Sequence, residues 1–322
     1  MKRVLLLLVI LFSFNSFYSG ATSNKDIIFF EKHYNYPITQ ESADWFEYTI
    51  LEKAQLLKIP KETLGKMSDV QLMYAIADYP LFGDIYAYGI DGDGLDTFAS
   101  FCSAFEELRS RDTFLTTLKN EGLRIAQEYE ADSSGYFNSL RSHVLEDLVK
   151  YYTSSSELHR DTPLIVYTPN GSAVQALIRE EIHDGEPYHY NCDQYYISTY
   201  AVTPVYSGTC IYNCHSFAWS LPSPSNPYWI NNPTPYMADG SYSLKYSGSI
   251  NNPIGAYGVS YYDKVYYPNQ KHSALIIGIT TSSTIPLASI TVVSKWGPHG
   301  VFQHAVGNVP PGFYSSTVSI WH

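Results

Sequence analysis

The chain has 322 residues, of which 45% are hydrophobic and 16% charged. That balance excludes a disordered or low-complexity chain and leaves room for about two domains at roughly 100–200 residues each. A formal net charge of −11 at pH 7 excludes a surface suited to nucleic acid, where Lys and Arg must neutralise phosphates.

Lys2 and Arg3 precede an apolar run from Val4 to Phe12, and Ser19-Gly20-Ala21 supplies small residues for cleavage. This pattern predicts a secretory leader over residues 1–21 and a secreted, periplasmic or cell-envelope location. The apolar run is shorter than the roughly 20 residues a membrane span needs, so no span is expected once the leader is removed. That removal takes away Lys2 and Arg3 and moves the formal net charge to −13. Residues 22–38 read as a linker.

From Thr39 the pattern is helical. Trp45, Tyr48, Leu51, Ala54 and Leu56 recur at spacings of three and four after a polar cap, and Ile59-Pro60 ends the run. Lys61 to Leu64 forms a helical turn. Ser68-Asp69 caps a helix through Val70, Leu72, Met73 and Ile76, which stops at Tyr79-Pro80. Amphipathic patterns over Leu95–Arg109, Asp112–Tyr129 and Tyr136–Tyr152 complete a predicted helical domain of five or six helices over residues 39–157. Asp91-Gly92-Asp93-Gly94-Leu95-Asp96 alternates carboxylates as calcium loops do, but lacks the downstream Glu and reads as a turn.

Residues 158–322 change character. Leu164–Tyr167 is a strand, Pro169–Ser172 a turn, and residues 173–181 a short helix or strand. A short helix begins at Cys214. Residues 222–258 are rich in Pro, Asn, Gly and Tyr, and strand patterns return at 259–267, 272–280, 288–294 and 316–321. The predicted fold class is α+β: a helical N-terminal domain, then a domain in which the helix bearing Cys214 packs on an antiparallel sheet.

Four cysteines frame the chemistry. Cys102 sits in an apolar helical stripe and reads as a buried, inert thiol. Cys192 and Cys210 are able to close a disulfide in an exported protein, and a Cys210–Cys214 bond would remove Cys214 from any reaction. Cys214 follows the polar turn Tyr212-Asn213 at a helix start, where free N–H groups and the helix dipole favour thiolate. His272 opens an apolar strand far downstream. Together they read as a thiol–imidazole pair with a third polar group still to find. Two other readings stand beside it. Cys214, His215, His272 and His304 carry the right donor types for zinc but match no compact ligand spacing. Cys214 as a plain buried helix residue is the third reading. No cofactor and no metal is expected.

Three segments carry a resemblance: Asn213-Cys214-His215-Ser216-Phe217-Ala218-Trp219, then Asp263-Lys264-Val265-Tyr266-Tyr267 with His272-Ser273-Ala274-Leu275-Ile276, then Val292-Val293-Ser294-Lys295-Trp296-Gly297. Over about residues 205–306 the chain resembles the papain-like domain of NlpC-type and CHAP cysteine amidases. It departs from them in lacking the Gly before Asp263 and in having Asn213-Cys214-His215-Ser216 where Asp-Cys-Ser-Gly is usual. The resemblance implies a papain-like fold, with Cys214 as nucleophile, His272 as base and the Cys214 N–H as a first oxyanion donor. The third position, normally His, Glu, Asn or Gln on the following strand, falls on Ser294. His304, further along, is the chemically stronger orienter. His215, one residue after Cys214 on a helix, points away from it. The implied substrates are peptidoglycan stem peptides, with protein peptides as the rival. A non-catalytic wall- or partner-binding protein of the same fold is the alternative. In the N-terminal half, Ile59–Leu64, Met67-Ser68, Asp78–Leu81 and Phe105–Asp112 resemble a helical region of uncharacterised exported proteins of gut-type Firmicutes and Bacteroidetes, which implies no activity.

Overall fold

Two helix starts in the N-terminal half, at Ile50 and Asp69, are set by side chains that satisfy the first free N–H groups. Thr49 accepts from the Glu52 N–H while Glu52 accepts from the Thr49 N–H at 2.8 Å, and Ser68 and Gln71 repeat the arrangement. The computed structural model describes residues 32–90, 92–132, 135–153, 161–181, 187–254, 258–268, 271–279 and 284–322. The expected leader and residues 22–31 of the expected linker lie outside the described residues.

Among the described residues, eight α-helices precede the first strand: α1 (Ile50–Leu56), α2 (Lys61–Leu64), α3 (Asp69–Asp78), α4 (Asp84–Tyr88), α5 (Gly92–Phe101), α6 (Ser103–Arg109), α7 (Phe114–Ala131) and α8 (Tyr136–Thr153). The sequence pattern predicts five or six. The helix expected over 95–109 breaks at Cys102, whose ψ of 92° turns the chain to an extended conformation. The first expected helix divides into a 3-10 turn at Trp45–Glu47 and α1. The Asp-rich segment is no loop: Gly92–Asp96 forms the start of α5, where Asp96 pairs with Arg109 at 2.7 Å. Cys102 is fully buried, and burial pushes its thiol up to about 12.

The C-terminal half holds β1 (Thr162–Tyr167), β2 (Ala173–Ile178), α9 (Pro187–Tyr200), β3 (Thr203–Tyr206), α10 (Cys214–Trp219), α11 (Thr234–Ala238), β4 (Leu244–Ser249), β5 (Lys264–Tyr267), β6 (His272–Gly278), β7 (Thr291–Lys295), β8 (Val301–Ala305) and β9 (Thr317–Trp321). β1 and β2 form a separate hairpin. The other strands make a seven-stranded antiparallel sheet in the order β3-β8-β7-β6-β5-β9-β4. The fold class is α+β. Strands β3, β4 and β8, and helices α4, α9 and α11, are additions to what the sequence pattern predicts.

Residues alternate between the two faces of the sheet. Tyr267, Ala274, Ile276, Val292, Phe302 and Ile320 merge with the core of the helical region. Leu275, Val293 and Val301 instead pack against Tyr212, Phe217, Trp219 and Tyr236 around α10. Residues 32–322 form one compact unit, and the helices α1–α8 share a core with the sheet. The expected boundary near residue 158 is therefore a change of element type rather than of core. Among the described residues, no helix is long and apolar enough to cross a membrane.

Helix α9 joins the two regions. Tyr195 and Tyr200 donate to the buried Asp84 carboxylate of α4, Tyr196 donates to the Gly83 carbonyl at 3.0 Å, and Trp45 donates to the Thr199 carbonyl at 2.8 Å. Burial pushes Asp84 up to about 7, although both tyrosine hydroxyls pull it down. A carboxyl raised in the folded state contributes stability that is complete below its unfolded pKa near 4 and lost as pH rises through 7. The loss expected from Asp84 between these limits is on the order of 4 kcal/mol. Thermal unfolding measured from pH 4 to pH 8 is expected to show a decline in the wild type that Asp84→Asn flattens. Equal slopes for the two proteins would contradict this assignment.

Candidate active site

Asn213 fixes the start of α10. Its N–H donates to Ser216 Oγ at 3.2 Å, and its Oδ1 accepts from the Ser216 N–H at 3.1 Å. Its Nδ2 donates to the Ile230 carbonyl at 2.8 Å, which ties the cap to the following loop. Cys214 thus occupies the first helical position, as the sequence leads one to expect. Cys214 is 6% exposed. Burial pushes its thiol up to about 12, opposed by the N–H groups of Ser273 and His215 and by the charge of Lys295. The resting sulfur is a neutral thiol.

Strand β6 meets α10 through Ser273, whose Oγ lies 2.8 Å from His215 Nδ1 and accepts from Trp219 Nε1 at 2.9 Å. His215 is therefore engaged by the strand. His272, one residue earlier, opens β6 with its side chain on the opposite face, across from Tyr267. Its ring stacks on Phe313 with centroids 4.5 Å apart and planes 7° from parallel. It is completely buried.

His272 Nε2 lies 2.9 Å from Ser294 Oγ, and Ser294 Oγ lies 2.6 Å from His304 Nε2. Trp296 Nε1 donates to the same Oγ at 3.0 Å. His304 Nδ1 is 2.9 Å from the Ala305 carbonyl, which can only accept. Proton positions follow from that constraint. His304 carries its hydrogen on Nδ1, so its Nε2 accepts from the Ser294 hydroxyl. Ser294 Oγ in turn accepts from Trp296 and from His272 Nε2–H. The remaining nitrogen, His272 Nδ1, keeps a bare lone pair, and it has no hydrogen-bond partner although it is buried. Burial first, then His304 and His215, hold the His272 pKa well below 6.5, and burial holds His304 down at about 4. Both rings are neutral at physiological pH.

The structure joins three of the four expected site residues, His272, Ser294 and His304, in one hydrogen-bonded chain. Cys214 is not hydrogen-bonded to any of them. It reaches β6 at the Ser273 N–H, one residue from His272. The donors considered for zinc do not converge: Cys214 and His215 lie on α10, and His272 and His304 on the other face of the sheet. None of the four cysteines is in a disulfide, so neither bond considered for Cys210 forms. Trp296 is buried and holds Ser294.

Lys295 is a functional candidate that the sequence reading leaves unassigned. It is fully buried, and its ammonium donates to the carbonyls of Thr209 at 2.9 Å, Gly297 at 2.8 Å and His299. Three acceptors match the three N–H groups of a charged ammonium. Burial pushes its pKa down to about 7, while Cys210, Asp193, Glu181 and Cys214 pull it up. Gly297 makes the cradle possible: its φ is 56°, and a Cβ there would lie 2.7 Å from the Tyr86 carbonyl oxygen. A lysine inside the apolar run Val292-Val293-Ser294-Lys295-Trp296 was the available signal, since lysines are almost never fully buried without partners.

Comparison of the chain with protein-family models, with curated proteins and with solved structures finds no match.

Ser294→Ala deprives His272 Nε2–H, Trp296 Nε1–H and His304 Nε2 of their common partner. Stranded buried polar groups cost about 1–3 kcal/mol each, so the variant is expected to lose at least about 2 kcal/mol in chemical denaturation. A change within the roughly 0.5 kcal/mol typical of neutral surface substitutions would contradict the network.

Proposed function

We propose that the chain is an exported cysteine hydrolase that cleaves amide bonds, with Cys214 as nucleophile and His272 as base. The observation that carries this reading is the unpartnered Nδ1 lone pair of His272, buried one residue from the N–H that faces the Cys214 thiol. Buried polar groups are almost always paired. A bare lone pair maintained by a three-residue relay is the form in which an imidazole accepts a proton.

In this mechanism the Cys214 sulfur attacks the amide carbonyl carbon and its proton passes to His272 Nδ1. The imidazolium so formed keeps its Nε2–H on Ser294 Oγ, with His304 behind it. The C–N bond then breaks, the amine leaves with the Nδ1 proton, and water hydrolyses the thioester. Thiol and imidazole both start neutral, so the proton moves during attack. Cys214 sits on α10 and the His272 ring on the opposite face of the sheet, so this mechanism requires the start of β6 to rearrange when substrate binds and bring Nδ1 to Sγ. The expected leader and the resemblance to NlpC-type and CHAP amidases favour peptidoglycan peptides over protein substrates.

A second reading, a non-catalytic wall- or partner-binding protein, is favoured by the 6% exposure of Cys214 and by the missing thiol–imidazole bond.

Incubation with purified peptidoglycan sacculi is expected to release new amino groups, and Cys214→Ala to abolish that release. His272→Ala is expected to lower the rate by about 10²–10⁴, the usual worth of a general base. Sedimentation with sacculi and no release would support the binding reading instead. Cleavage of casein but not of sacculi would move the substrate to proteins.

The pH profile gives a separate check. Because burial keeps His272 neutral to well below 6.5, the base remains available as pH falls through that value. The acid limb of kcat/KM is expected below pH 6.5, and a half-maximal rate at 6.5 or above would contradict the assignment.

A further inference from the structure

A second group of reactive side chains lies beside Lys295, away from the His272 relay. Glu181 follows β2, His189 sits in the first turn of α9, and Cys210 lies four residues before α10. One carboxylate oxygen of Glu181, one ring nitrogen of His189 and the Cys210 sulfur all lie within 4.8 Å of one another. Glu181 Oε1 is 3.1 Å from His189 Nε2, and Oε2 accepts from the Cys210 N–H at 2.9 Å. Gly208 lets the loop pass against the imidazole, since a Cβ there would meet His189 Nδ1 at 2.7 Å.

We propose that Glu181, His189 and Cys210 form a binding site for a zinc-class divalent cation. Donor atoms of a tetrahedral zinc site are about 3.5 Å apart, given metal–ligand bonds of about 2.0–2.3 Å, so small side-chain shifts close this group around an ion. Thiolate and imidazole donors select zinc-class ions over calcium and magnesium, which take oxygen ligands. Three protein donors leave a fourth position for water, as in catalytic zinc centres.

The local charges accommodate such an ion. Asp193, which accepts from the Gly300 N–H at 2.8 Å and draws on Lys295, is the counter-charge to the buried ammonium. The Glu181 carboxylate and a Cys210 thiolate then balance the two charges of the metal. Binding breaks the Cys210 S–H bond and forms an S–metal bond, and the proton leaves to solvent.

This site is separate from Cys214 and does not rest on the proposed hydrolysis. The experiment uses the purified full-length chain, stripped with a chelator and titrated with Co²⁺. The expected result is a saturable near-ultraviolet thiolate-to-cobalt band at one ion per chain, bleached by added Zn²⁺. The band is expected to persist in Cys214→Ser and to vanish in Cys210→Ser. Glu181→Gln keeps the thiolate and is expected to retain the band with affinity at least about tenfold weaker, a loss typical even of outer-shell changes. Zn²⁺ is expected to raise the Tm of the wild type but not of Cys210→Ser. This reading separates a lost ligand from a lost fold, because a folded variant still melts cooperatively. No band in the wild type, a band lost in Cys214→Ser and kept in Cys210→Ser, or undiminished affinity in Glu181→Gln would each overturn the site.

Discussion

The Ala305 carbonyl can only accept a hydrogen bond, and that one constraint orders the candidate active site. It places the His304 proton on Nδ1, which makes the Ser294 hydroxyl a donor to His304 and an acceptor for both His272 and Trp296. The relay ends in a bare nitrogen on a ring that stacks on Phe313 and is closed off from water. Hydroxyl and imidazole thus do what an amide or carboxylate would do in a thiol–imidazole–carboxylate arrangement: they fix the tautomer and hold the ring. They do so without a buried negative charge, which explains why the imidazole stays neutral rather than being drawn into an ion pair with the thiol.

The same sheet sorts two polar systems by the alternation of strand side chains. On β6, His272 turns to the helical core and Ser273 to α10. On β7, Ser294 joins His272, while Lys295 turns to the side of Thr209 and Cys214. Cys214 belongs to the second system by its helix and to the first only by its nearness to the start of β6. The proposed chemistry therefore depends on the end of one strand, where the two faces of the sheet meet.

Much of this was legible in the chain. The polar turn before Cys214, the short helix behind it and the strand beginning at His272 follow from local patterns, whereas Ser294 and His304 come from the resemblance as alternatives for one third position rather than as successive members of one chain. Helix α9 was missed because Tyr188, Cys192, Tyr195, Tyr196 and Tyr200, all buried, form a helical stripe built from residues of poor helix propensity. Tertiary packing on Asp84, Gly83 and the sheet supplies what propensity lacks. The break at Cys102 and the convergence of Glu181, His189 and Cys210 depend on contacts between distant elements, which no local spacing encodes.

The central claim is the protonation state that the relay imposes on His272. Imidazole ¹⁵N spectra of histidine-labelled protein, assigned with His272→Gln, test it directly. The account predicts a neutral His272 ring protonated at Nε2, with Nδ1 bare and no titration near pH 6.5. A ring protonated at Nδ1, or one that titrates at 6.5 as a free histidine does, would contradict it.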